Sequence, residues 1–281
     1  MDTGFVGAGK VGFSLGKYMK DKGVSLMGYA SRSRASAHGA SVFTESCAFD
    51  GLEELLSRCD CVFLTVPDDA IGAVWNQLRQ CDISGKIICH CSGSLSSGIF
   101  EGASECGASV CSLHPLMALP DCYHSHALLH EAVFALEGDT EACAALQRLI
   151  TSCGNAVYLL DKDKKALYHC AAVFVSNFST ALAYIGAEMF KTCGMEEATE
   201  PLFQLMLHNA RSVSEFGVTR ALTGPVERCD VRTVSRHLSC LPADDRELYT
   251  ALSRKLVAIA SGKHVDRDYS PVLALLDEKK I

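Results

Sequence analysis

No run of lysine or arginine longer than two residues occurs in the chain, and charged residues make up only 21% of it, with a net charge of −7. The footprint of a polyanion binder is missing, so neither nucleic acid nor an anionic membrane surface is an expected partner. No C-x-x-C spacing occurs among the 15 cysteines, whose number is odd and which are scattered along the chain. The pairs Cys59/Cys61 and Cys89/Cys91 are C-x-C on expected strands, where alternate residues share a face. A disulfide framework and a metal site are therefore not expected, and mostly buried thiols in a reducing cytoplasm are. A leader is not expected either, because an apolar strand begins almost at Met1. The longest apolar tract, Cys170 to Ile185, is interrupted by Ser176, Asn177, Ser179 and Thr180 and falls short of the ~20 residues of a membrane span, so it reads as a buried helix. Repeats and low-complexity linkers are lacking too. What remains is a soluble chain of 281 residues, 48% hydrophobic, with room for two domains.

The informative stretch is Phe5 to Gly12, FVGAGKVG, an apolar strand running into G-x-G-x-x-G and then a helical pattern. Gly7 permits the tight turn, Gly9 lets backbone amides approach a pyrophosphate, and Gly12 lets helix and strand lie close. The phosphates would sit on the amides opening the helix, at Lys10 and Val11. The same stretch also spells G-x-x-x-x-G-K from Gly4, but Val11 stands where a triphosphatase needs a magnesium-binding hydroxyl. A second strand, Val24 to Tyr29, leads into Ser31, Arg32, Ser33 and Arg34 where an NAD-selective fold usually carries an acid. Guanidinium and hydroxyl groups suit a 2'-phosphate, which favours NADP(H) over NAD.

The spacing predicts a first helix closed by Gly23, and a short helix through Ser57 opened by Asp50 and Glu53 in a capping-box arrangement. A buried strand then ends at Val66-Pro67, followed by a helix capped by Asp68 or Asp69. Strands at Lys86 to His90 and Ser109 to Leu113 end in Ser92 and His114; Ala132 to Leu136 and Ala156 to Leu160 flank a helix at Thr140 to Cys153. Parallel strands align their carboxyl ends, so Gly7, Ser31, Pro67, Ser92 and His114 should converge on one crevice. From Asp163 to Cys193 the pattern is helical without a break, placing the domain boundary near Asp161: a doubly wound Rossmann α/β domain at 1–160 and an all-helical domain at 161–281. Lys165, His169, Ala172, Ser176 and Thr180 fall on one side of that helix. Ser176 and Thr180 read as close packing, His169 and Asn177 as polar groups needing partners. Further helices are expected at Glu197 to Glu215, at Asp230 to Leu241 with Asp230 as cap, at Asp244 to Ala260, and in a turn from Pro271 to Asp277. An apolar helical domain of this kind implies a homodimer through the C-terminal helices.

Taken together, GAGKVG, TVPDD, HCSG, LHPL, YHCAAVFVSNF and LTGPVERCD resemble a family of NADP-dependent oxidoreductases in which a Rossmann domain precedes a helical domain long catalogued as of unknown function. The plan is similar to that of pyrroline-5-carboxylate reductase, 6-phosphogluconate dehydrogenase and ketopantoate reductase. By that resemblance His114, Tyr168, His169, Asn177, Thr223, Gly224, Pro225, Arg228 and Asp230 occupy motif positions. Met117 and Cys229 depart from the pattern, standing where a polar residue and a glycine are expected. The implied activity is NADPH-dependent reduction of a small 2-oxo acid, with ketopantoate the candidate. His114 or His169 would protonate the alkoxide, Asn177 would hold the carbonyl, and Ser92, Arg228 and Asp230 would contact substrate. Arg228 equally suits a salt bridge to Asp230 or Glu227. A cyclic-imine reductase and a cofactor-binding sensor without turnover are the alternatives.

Overall fold

A computed structural model describes residues 1–195 and 199–277. Its centre is an eight-stranded sheet in the order β3-β2-β1-β4-β5-β6-β7-β8. The strands are β1 (Thr3–Val6), β2 (Leu26–Ala30), β3 (Cys47–Phe49), β4 (Cys61–Leu64), β5 (Ile87–His90), β6 (Ser109–Pro115), β7 (Phe134–Gly138) and β8 (Val157–Leu159). β1 to β6 pair in parallel, β6 and β7 are antiparallel, and β8 runs parallel to β7. Every residue of β1 and β4 is buried, as expected for parallel strands covered on both faces. Phe5 stacks between Tyr29 and Phe63 in one core layer, while Val6, Val62, Leu64 and Trp75 belong to the layer on the opposite face. The order reverses between β1 and β4, which creates the crevice in which this class of sheet binds its ligands.

Helices α1 (Lys10–Asp21), α2 (Arg34–Thr44), α3 (Leu52–Leu56), α4 (Asp68–Leu78) and α5 (Thr140–Ser152) cover the sheet. α2 and β3 have no counterpart in the sequence reading, because RASAHGASVFT carries too few large apolar residues for a clear stripe; Ser33 caps α2, accepting from the Ser36 N–H. The expected capping box at Asp50 and Glu53 is not formed. Gly51 is the N-cap of α3, and the Asp50 N–H donates to Glu54, four residues on. Nor do Asp68 and Asp69 cap α4, since both already lie in its first turn behind Pro67. Cys59 and Cys61 do not share a face: Cys59 precedes the strand and joins the core layer opposite that of Cys61. All cysteines are free, but only Cys59, Cys61, Cys89, Cys91, Cys111 and Cys153 are buried, fewer than expected.

Packing divides the chain into two units, Met1–Asn177 and Phe178–Ile281, rather than near Asp161. The shift has a local cause. The long helix is broken at Ser176 (φ −109°, ψ −71°) into α6 (Lys165–Val175) and α7 (Asn177–Thr192), and α6 is tied to the sheet by Lys165 and Tyr168. The second unit comprises most of α7, α8 (Thr199–Ala221), α9 (Val231–Cys240), α10 (Ala243–Lys263) and α11 (Ser270–Asp277). The expected helix start at Glu197 lies outside the described residues. Val226, Val234, Leu238, Val257, Tyr269 and Val272 form this unit's core.

The expectation of a buried helix at Cys170 to Ile185 is overturned. No residue of α7 is buried, and Phe174, Val175, Phe178 and Tyr184 are exposed. Lys162–Thr192 is also long enough to cross a membrane and contains an 18-residue window apolar enough to do so, with mean hydropathy 1.5, because serine and threonine lower the average of that window only slightly.

Candidate functional site

The glycine loop behaves as three separate solutions to three steric problems. Gly7 has φ +101°, and a Cβ there would sit 2.8 Å from the Thr65 carbonyl carbon and 2.9 Å from Val66 Cγ1. At Gly12 a Cβ would lie 2.7 Å from both the Gly7 carbonyl oxygen and Thr65 Oγ1, so helix and loop touch through this residue. Gly9 is the opposite case, since a Cβ would meet nothing within 4 Å. It is the N-cap of α1 with no side-chain cap, so the first-turn amides open onto unfilled space. The Thr65 hydroxyl donates to the Gly7 carbonyl at 2.8 Å and ties the loop to the end of β4.

That space is a cleft of about 770 Å³ lined by Gly7, Ala8, Gly9, Ser31, Arg32, Ser33, Val66 and Pro67 among others. Of the expected cofactor residues, Lys10, Val11 and Gly12 are outside the lining: Lys10 is exposed, Val11 packs on the core, and Gly12 lies beneath the loop. Ser36 and Asp50 also line the cleft. Asp50 is the acid that the strand-end reading missed, and it pairs with Arg34 at 3.1 Å. Arg32 makes no ion pair among the described residues, so of the two arginines it is the one left for an anion. A dinucleotide phosphate fits this arrangement: open amides at a helix end, glycine where backbone must approach, and a guanidinium at the rim.

A second cluster forms around Gly93. Ser92 and Ser94 both donate to Asp68 Oδ2, at 2.7 and 3.1 Å, so Asp68 holds this loop to the start of α4 instead of capping the helix. A Cβ on Gly93 would strike His169 Nδ1 and lie 2.9 Å from His114 Nε2, which places both imidazoles against the loop backbone. His114 Nδ1 hydrogen-bonds the Tyr168 hydroxyl at 2.9 Å, and the rings of His114 and His169 lie 5.9 Å apart at 90°. Burial, then Lys165 and His169, lower the His114 pKa to about 4, while burial raises that of Tyr168 to about 12. Near neutral pH this imidazole is uncharged and the phenol keeps its proton. The expectation that His114 titrates near operating pH is thereby corrected. Tyr168, read from the sequence only as a motif position, is the phenol that keeps its proton beside this uncharged ring.

Neither Ser92 nor His114 lines the cleft, although Gly7, Ser31 and Pro67 do. Asn177 is exposed and accepts from the Ser176 hydroxyl at 2.9 Å, at the helix break. Met117, one of the departures from the pattern, packs against the sheet core. In the second unit Asp230 caps α9, accepting the Thr233 N–H at 3.0 Å and its hydroxyl at 2.7 Å, so both carboxylate oxygens already have partners. Glu227 pairs with Lys263, His264 and Arg267; Arg228 is exposed and outside that set. Cys229 has φ +58°, which explains why glycine is the expected residue there.

Residues 1–115 match a Rossmann-like domain, and residues 132–256 match a domain of unknown function, DUF2520. This chain joins a Rossmann-like domain to a DUF2520 domain. The DUF2520 match takes in β7, α5 and β8, so it begins within the sheet and spans both packing units. No curated protein matches the sequence. Among solved structures, the chain is 26% identical to a protein from Bacteroides fragilis assigned as an NADP oxidoreductase, covering 92% of this chain and 98% of that one with TM-score 0.73. It is 27% identical to a protein of Thermotoga maritima, covering 93% and 99% with TM-score 0.74. Pyrroline carboxylate reductase of Plasmodium falciparum with NADP bound shares the fold at 15% identity, covering 94% and 97% with TM-score 0.58.

Proposed function

We propose that this chain is an NADP-dependent oxidoreductase that reduces a small carbonyl or imine compound. The observation that carries the reading is the uncapped start of α1 beneath the open Gly9, in a cleft whose rim holds an unpaired Arg32. Gly7, Gly9 and the first-turn amides would hold the pyrophosphate, and Ser31, Arg32 and Ser33 the 2'-phosphate. When bound, NADPH supplies the hydride. The chain's own residues supply orientation and a proton. Tyr168 keeps its proton at neutral pH and can give it to the nascent alkoxide, or to the nitrogen anion left when hydride adds to an imine, while neutral His114 holds the phenol in place through Nδ1. His169, packed against Gly93 beside His114, limits the room over that loop.

The substrate candidate is a 2-oxo acid, ketopantoate first, with a cyclic imine as the second reading, supported by the fold shared with pyrroline carboxylate reductase. The test is NADPH oxidation at saturating cofactor against 2-oxo acids and cyclic imines, with NADH in parallel. Turnover by the wild-type chain that collapses in Tyr168→Phe while NADPH binding persists is expected. Tight NADPH binding with no turnover across both substrate classes favours a sensor instead.

The same reading includes a homodimer through the C-terminal helices, in a cytoplasm that keeps the thiols free. Exposed Phe178, Leu182, Tyr184, Phe203 and Leu205 on α7 and α8 support it, as does an apolar groove of about 310 Å³ lined by Leu182, Ile185 and Met189 of α7 with Leu248 and Leu252 of α10. Light scattering at micromolar concentration is expected to give twice the chain mass; a monomer would end this part of the proposal.

A further inference from the structure

One buried charge has no part in the proposed chemistry. Lys165 opens α6 and is 1% exposed, among the largest fully buried side chains of the protein. Its Nζ donates to Ser112 Oγ and lies 3.5 Å from Glu137 Oε1. Ser112 and Glu137 are directly opposed in the antiparallel β6–β7 pair, so their side chains share one face of the sheet. Glu137 is further held by Ser97, accepting its N–H at 2.8 Å and its hydroxyl at 2.7 Å. A lysine in this position is compensated rather than stray, because its counter-charge is itself fixed by two hydrogen bonds.

The placement matters because of what repeats around it. Two residues beyond Ser112 on β6 comes His114, on the same face by the strand's period. Three and four residues beyond Lys165 on α6 come Tyr168 and His169, on the same face by the helical period. α6 therefore meets β6 at two rungs, Lys165 to Ser112 and Tyr168 to His114.

We propose that Lys165 is a positioning residue of the reductase site: it fixes the first turn of α6 on the β6–β7 pair, holding Tyr168 against His114, and its buried positive charge adds to burial in opposing protonation of that imidazole. Its catalytic meaning rests on the reductase reading. Among the groups facing His114, Lys165 and His169 from α6 oppose its protonation and Asp68 from α4 favours it, with Tyr168 uncharged. Burial acts in the same direction as Lys165 and is the larger influence.

The experiment is a ¹⁵N-histidine NMR titration of the full-length protein, with His114 assigned by His114→Asn. In the wild type His114 is expected to titrate near pH 4. Lys165→Met is expected to raise that midpoint by roughly one unit, the size of one charge acting across a short distance at intermediate dielectric, while Lys165→Arg leaves it in place. Should Lys165→Met not fold, Lys165→Gln keeps a hydrogen bond to Ser112 without the charge and carries the same comparison. A wild-type midpoint at the ordinary histidine value, or an unchanged midpoint without the lysine, overturns the proposal. Because the titration needs no turnover, failure of the reductase reading would appear separately, as silence of the wild-type chain in the oxidation assay.

Discussion

Gly7 and Gly9 lie two residues apart in the same loop, yet alanine should act on them in opposite ways. Gly7→Ala puts a side chain at φ +101° and drives its Cβ to 2.8 Å from the Thr65 carbonyl carbon and 2.9 Å from its oxygen. Backbone cannot swing aside as a side-chain tip can. The dihedral costs about 1–2 kcal/mol and the overlap about 1–3 kcal/mol, a total of roughly 2–5 kcal/mol. For a chain of this size that lowers Tm by roughly 5–15 °C. Gly9→Ala faces neither problem: φ −94° with ψ −167° is ordinary extended backbone, and its Cβ meets nothing. Its stability should stay within about 0.5 kcal/mol of wild type. The methyl would, however, occupy the space above the α1 amides. Two charge-assisted bonds from amide to phosphate, at about 1.5 kcal/mol or more each, correspond to a loss of about 100-fold in NADPH affinity. Thermal melts and titration of NADPH fluorescence read the two effects separately. A Gly9→Ala protein that melts normally and binds NADPH at wild-type affinity would refute the cofactor assignment of the loop, and a Gly7→Ala protein of unchanged Tm would refute the steric account.

Arg32→Ala should weaken NADPH by about 10–100-fold, the range for a charge-assisted phosphate contact, and leave NADH little changed; Arg34→Ala, whose guanidinium is already paired with Asp50, should discriminate far less. Equal losses for the two nucleotides in Arg32→Ala would remove the basis for NADP selectivity. Cys229→Gly relieves a left-handed backbone at φ +58°, and after the entropy cost of glycine it should still raise stability by about 0.5 kcal/mol, checked by urea unfolding. Acid should destabilise the fold in a defined window. His90 and His114 both have pKa lowered to about 4, mainly by burial, so between their ordinary 6.5 and about 4 the unfolded chain binds protons that the folded chain refuses. Stability is then intact above that window and falls as pH drops through it; melting temperatures that stay flat across it would contradict the buried neutral state of both rings.

The glycine loop was legible in the sequence because each glycine answers a local demand, a turn, an approach or a contact, that spacing alone encodes. Arg32 was legible for a similar reason, since it stands where a strand end must offer either an acid or a base to the ribose. Asp50 was not: it reaches the cleft only because β3 lies beside β2, and the helix that carries the chain there is built of small residues without a stripe. His114 and His169 could be placed on a strand end and a helix face, but that they flank one glycine, and that Tyr168 stands between the helix and the strand, follows from how α6 crosses the sheet.

Lys165 marks the limit of reading one element at a time. On its own helix it is a charged residue at the head of an apolar run, which suggests a solvated end. Burial reverses that meaning only because Glu137 arrives on an antiparallel strand directly opposite Ser112, and the sense of a strand is not written in its own residues. The cost of separating such a pair, about 3–5 kcal/mol when one partner is removed, is large enough to decide where the first unit ends. It holds α6 with the sheet, so that Tyr168 and His169 belong to the same packing unit as His114 and that unit ends at Asn177 instead of near the expected Asp161. Beyond the break at Ser176 the apolar tract continues as α7, where no residue is buried and Phe178, Leu182 and Tyr184 are exposed.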